Sequence, residues 1–107
     1  MKANVETFIQ SVKEQNGRYD RIVLKVECPL DSGFRLHASG FRDGEAFEPK
    51  IPPRMRPIFE YVAEKRRAEK AARFNVLYMS IEGDGGYKEE TTYDAEIQRI
   101  AEEDVRP

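Results

Sequence analysis

The chain is poor in the residues that most often carry chemistry, with one cysteine (Cys28), one histidine (His37) and no tryptophan. A lone cysteine excludes an internal disulfide framework and fits a reducing compartment. With a single histidine beside it, no His/Cys spacing can build a zinc site. No apolar run approaches the ~18 residues that a membrane-spanning helix needs. The opening MKANVETFIQ is charged too early for a secretory signal. These absences predict a cytoplasmic protein with no membrane partner.

What is present is a balance of apolar and charged side chains. The hydrophobic share is 39% and the charged share 36%, so a core can form beneath a highly charged surface. A chain of 107 residues is expected to make one domain spanning 1–107. Net charge is −2 but unevenly placed: residues 1–53 sum to zero, residues 54–73 to +4 and residues 74–107 to −6. Such segregation produces local fields that steer partners and leaves the fold undetermined.

Periodicity divides the chain into eight elements. Val5, Phe8, Ile9 and Val12 recur at i, i+3, i+4 and i+7, which predicts a helix over 3–15, with Asn4 to cap it and Gly17 to stop it. From Tyr19 to Cys28 the residues Ile22, Leu24, Val26 and Cys28 alternate with Val23, Lys25 and Glu27, the pattern of a half-buried strand. A second strand sets Phe34, Leu36 and Ala38 against Arg35, His37 and Ser39. Asp43-Gly44 then signals a hairpin to a short strand at Glu45–Phe47. Pro49, Pro52 and Pro53 end that sheet segment. Met55, Ile58, Phe59 and Val62 give a second helical stripe over 54–72, with Pro57 in its first turn. From Glu64 onward only alanines continue the stripe, which predicts final turns that are solvated or shallowly packed. Phe74 to Ile81 and Tyr87 to Tyr93 flank a Gly83-Asp84-Gly85-Gly86 turn, and Asp94 can cap a last helix carrying Ile97, Ile100 and Ala101. The predicted fold is α+β, an antiparallel sheet of about five strands with helices packed on one face, in the order α-β-β-β-α-β-β-α.

Little in this pattern points to catalysis. Alternation puts Cys28 and His37 on opposite strand faces, which argues against a nucleophile–base pair. The glycine-rich turn lacks the Lys-Ser/Thr of a phosphate loop and the ligand spacing of a calcium loop. No catalytic residue, metal or cofactor is expected. The basic stretch Lys65-Arg66-Arg67 with Lys70 and Arg73 could touch phosphates, but no aromatic residue interleaves it to stack bases. Pairing of Glu64 with Arg67, Lys65 with Glu69 and Glu69 with Arg73 would make it an ordinary helix face. The C-terminal third combines carboxylates with Tyr78, Tyr87 and Tyr93, a composition found at protein interfaces.

The segment from Phe74 through Asp94, FNVLYMSIEGDGGYKEETTYD, resembles the C-terminal hairpin of the YezG-like immunity (antitoxin) proteins. The shared features are an apolar strand, a glycine-containing turn followed by an aromatic, and a second strand ending in Tyr-Asp. Phe74 stands where the family often has a tryptophan. The resemblance implies a bacterial cytoplasmic protein that neutralises a cognate toxin domain, often a nuclease, by direct protein–protein binding. The partner would carry a basic cleft, met by Tyr78, Tyr87, Glu89, Glu90, Tyr93 and Asp94. Two alternatives remain: a small nucleic-acid-binding module using the basic helix 54–73, and an acidic secretion chaperone, whose order of elements is similar.

Overall fold

The computed structural model describes residues 3–29, 33–68 and 74–104. The elements follow the expected order: α1 (Ala3–Asn16), β1 (Arg21–Glu27), β2 (Arg35–Arg42), β3 (Glu45–Phe47), α2 (Arg56–Ala68), β4 (Val76–Glu82), β5 (Tyr87–Thr92) and α3 (Ala95–Asp104). The five strands form one antiparallel sheet in the order β3-β2-β1-β4-β5. The protein is therefore α+β.

β1 sits at the centre because it is apolar along one whole face. Ile22, Leu24, Val26 and, just beyond the strand, Cys28 are fully buried. Register lines them up with Gly40, Ala38 and Leu36 on β2 and with Ile81, Met79 and Leu77 on β4. Val5, Phe8, Ile9 and Val12 of α1 and Ile58 and Val62 of α2 close over this inner face to complete one core. Each such side chain contributes about 1.5–3 kcal/mol when withdrawn from water.

Local chemistry fixes the turns and ends. Asp43 (φ 54°) and Gly44 (φ 79°) are both left-handed, the two-residue turn that suits the twist of β2 and β3. Gly83 donates to the Asp20 carbonyl at 2.8 Å, and a Cβ there would lie 2.0 Å from the Tyr19 carbonyl oxygen, so only glycine permits the approach. Asn16 holds the end of α1 to the segment after β3. Its amide donates to the carbonyls of Val12 (2.7 Å) and Lys50 (2.8 Å), and its oxygen accepts from Lys50 N–H (2.7 Å). Arg42 donates to the Asn16 carbonyl, an acceptor that the helix end leaves open, and to the Arg18 carbonyl just beyond the helix. The expected cap at Asn4 involves a side chain outside the described residues.

One expectation needs correction. The helices do not all share one face: α1 and α2 cover the inner face, whereas no α3 residue joins the core. Instead, Ile97, Ile100 and Ala101 of α3 line a cleft with Glu27 and Arg35, which point to the outer face. The later turns of α2 are shallowly packed, as expected. Glu64, Lys65 and Arg66 are half-buried because the helix continues along the sheet toward β5. Phe59 of the same stripe is half-buried against the core and stacks on Phe34 with ring centroids 4.9 Å apart.

Candidate partner-binding surface

The β4–β5 hairpin presents two chemically different faces, and the six residues expected to meet a partner divide between them. Tyr87 and Glu89 pair with Ile81 and Met79, so they point inward beneath α2. Tyr78 and Glu90 pair with each other on the outer face. Tyr93 follows the strand and is exposed. Asp94 is occupied with capping α3: its Oδ1 accepts from the N–H groups of Glu96 (3.0 Å) and Ile97 (3.3 Å). Its backbone is held at both ends by the buried amide of Asn75. The expectation of a single tyrosine–carboxylate surface is thus corrected, since alternation on β5 sends neighbouring residues to opposite sides.

Glu89 is the centre of a closed polar cluster. Its carboxylate accepts from the Tyr61 hydroxyl at 2.7 and 2.8 Å and from the Tyr87 hydroxyl at 2.6 Å, and pairs with Lys65 Nζ at 3.0 Å. Burial alone would raise its pKa, but the hydrogen bonds from Tyr87, Tyr61 and Lys65 and the charge of Lys65 prevail and hold it below the ordinary carboxylate range. The same surroundings push the Tyr87 hydroxyl well above its ordinary value, first through burial and then through its bond to Glu89. These groups tie α2 to the edge of the sheet and leave no uncommitted base. Tyr61 was not singled out from the sequence, and Lys65 was read as part of a basic helix face rather than as a partner of Glu89. Their signal is the i, i+3/i+4, i+7 spacing Ile58, Tyr61/Val62, Lys65, which continues the buried stripe with polar-tipped side chains.

The outer face is organised by register into rows. His37, Lys25, Tyr78 and Glu90 form one, Ser39, Val23, Ser80 and Lys88 the next, and Phe41, Arg21 and Glu82 a third. Reading diagonally, Phe41, Val23 and Tyr78 make an apolar line across three strands. Phe41 is 46% exposed and the other two are half-buried. Charged groups flank the line: Arg21 is paired with Glu82 at 2.9 Å, His37 with Glu27 at 2.7 Å, and Lys25 lies 6.0 Å from the centre of the Tyr78 ring. Sequence reading assigned Val23 to the polar face and passed over Phe41. An apolar residue recurring among the polar positions of alternating strands was the available sign.

Several of the remaining candidates among the described residues are committed to structure. Cys28 is buried on the inner face with its thiol pKa raised by burial, despite the opposing charge of Arg66, whereas His37 is exposed on the outer face. The Gly83–Gly86 turn consumes its own donors. Glu82 N–H bonds to the Gly86 carbonyl, Gly85 N–H to the Glu82 carbonyl and Gly86 N–H to the Asp84 carboxylate. In the basic helix, Lys65 turns to Glu89, and Arg66 donates to the Phe74 carbonyl with its guanidinium 5.5 Å from that ring. Arg56 pairs with Glu60, while Lys70 and Arg73 lie outside the described residues. Among the described residues no group of three or more His, Cys, Asp or Glu side chains is placed to hold a metal ion, and no helix is long and apolar enough to cross a membrane. Compared with family models, curated proteins and solved structures, the chain finds no match.

Proposed function

We propose that this chain is a protein-binding module, an immunity-type inhibitor that neutralises a toxin domain by direct contact through the outer face of its sheet. The observation that carries this reading is the apolar diagonal Phe41–Val23–Tyr78, partly exposed and bordered by charged side chains. Aromatic anchors within a charged border are the arrangement that supplies most of the energy at protein interfaces. Exposed carboxylates at Asp84, Glu90, Glu96, Glu102 and Glu103 give the C-terminal side of the molecule an acidic field. A basic partner would be steered by it and then held by the aromatic line. A nuclease cleft, basic because it holds phosphates, is such a partner. The basic helix offers less to nucleic acid, since Lys65 and Arg66 face inward.

The test is co-expression with the protein encoded immediately upstream. A one-to-one complex and loss of that protein's toxicity are expected. Phe41→Ala and Tyr78→Ala should each weaken binding by about 2 kcal/mol or more, the range of interface hot spots. Neutralisation unaffected by both substitutions would show that the outer face is not the contact surface.

A further inference from the structure

The outward edge of β5 pairs with no further strand among the described residues. β5 ends the sheet on one side, and its six residues make a far longer edge than the three of β3 on the other. The direction of its main-chain groups follows from the hairpin. Glu82 N–H bonds to the Gly86 carbonyl, and Asn75 N–H to the Thr92 carbonyl, so Gly86 and Thr92 both direct their main chain toward β4. Antiparallel ladders alternate. Lys88 and Glu90 therefore also bond inward, and Tyr87, Glu89 and Thr91 direct N–H and C=O groups away from the sheet. An edge of this kind is a template for another strand.

We propose that the occupant is β5 of a second copy, paired antiparallel about a two-fold axis through Glu89 to give one continuous sheet across the dimer. A two-fold axis makes each contact occur twice, so the strand must be complementary to its own reverse. Three registers bring at least two of the outward-directed residues opposite one another. Centring on Lys88 sets two ammonium groups face to face on the exposed side, and centring on Glu90 sets two carboxylates there. Centring on Glu89 alone places Lys88 opposite Glu90 of the second copy, and Glu90 opposite its Lys88. Opposite charges directly across a ladder stabilise it and like charges destabilise it. In this register Tyr87 and Thr91 also complete their outward hydrogen bonds. The two Glu89 carboxylates meet across the axis on the inner side, but each is drawn toward its own α2, where Lys65 at 3.0 Å and the hydroxyls of Tyr61 and Tyr87 already compensate its charge. Lys88 and Glu90 are exposed, and their charges are the ones that select the register.

The experiment is sedimentation equilibrium on the full chain and on charge-reversed variants. The wild-type protein should be a dimer. Lys88→Glu alone places four carboxylates along the exposed side of the junction, and Glu90→Lys alone places four ammonium groups there. Each should weaken dimerisation at least about tenfold, since two attractive cross-strand pairs become repulsive. An equimolar mixture of the two single variants restores both pairs and should dimerise, as should the double variant K88E/E90K alone. In the dimer, the amide hydrogens of Tyr87, Glu89 and Thr91 should exchange more slowly than in the dissociated chain. A monomeric wild type overturns the proposal, as does a wild-type dimer that neither single variant weakens. Weakening without rescue by the mixture rejects the register and with it the proposal.

Discussion

Glu89 and Glu90 are chemically identical neighbours on β5, yet they live in different surroundings. Glu89 points beneath α2, where two tyrosyl hydroxyls and an ammonium group surround it, and Glu90 points outward into solvent. The contrast extends along the hairpin from Leu77 onward. Leu77, Met79 and Ile81 are fully buried on the inner side, whereas Tyr78 and Ser80 stay half-exposed on the other. A two-residue period thus separates what holds the fold from what remains available to a partner. Substitutions that look equivalent in the sequence should have effects that differ by the side on which they fall.

The largest effect should come from the inner side. Leu77→Ala removes a fully buried side chain from the middle of the core and should cost about 2–5 kcal/mol, depending on how far the site collapses. Tyr78→Ala, one residue away, should cost about 1 kcal/mol or less. Urea denaturation of the two variants checks this directly, and equal losses would mean that the face assignment of β4 is wrong. Glu89 and Glu90 provide the next test. Glu89→Lys sets a second ammonium group beside Lys65 and leaves two tyrosines without their acceptor, a change expected to cost roughly 2–4 kcal/mol. Glu90→Lys should stay within about 0.5 kcal/mol when measured on the dissociated chain.

The same cluster gives stability a particular pH dependence. The folded protein holds the Glu89 pKa below its ordinary value, so the folded state binds fewer protons than the unfolded state as the solution is acidified. The contribution is therefore complete above the unfolded value of about 4.3, and it is lost as pH falls through the lowered folded value. Glu89→Gln should flatten that acid limb, while Glu90→Gln should leave it unchanged. Thermal melts between neutral pH and pH 3 separate the two.

Much of the fold was legible in the sequence because its signals are local. The 3.6-residue stripe of α1, the alternation of β1 and β4, and the Asp43-Gly44 turn each report on a few adjacent residues, and the structure follows them. Less of the candidate surface was legible because it depends on which strands lie side by side. Phe41, Val23 and Tyr78 stand far apart in the chain, and only the β2-β1-β4 register makes them a line. The fate of Glu89 was hidden for a related reason. Its polar neighbours Tyr61 and Lys65 come from α2, so an inward-facing carboxylate looked like one more member of a solvated acidic run. Charge counts along the sequence cannot separate the two kinds of carboxylate, but the alternation of β5 can.

The smallest expected effect concerns Asp94, which links the hairpin to α3. It resembles the exposed carboxylates in sequence, but its work is local: Oδ1 accepts from the N–H groups of Glu96 and Ile97, donors that the start of a helix otherwise leaves without partners. Asp94→Ala should therefore cost about 1 kcal/mol and fray the first turn of α3. Asp94→Asn keeps an acceptor oxygen and loses only the favourable charge at the helix start, so it should cost a few tenths of a kcal/mol. Hydrogen exchange at Glu96 and Ile97 distinguishes a cap from a charge. Under the capping role, exchange accelerates in the alanine variant and stays near the wild-type rate in the asparagine variant. If both variants accelerate equally, the carboxylate acts through its charge, and Asp94 belongs with Glu90 on the partner-facing side of the comparison.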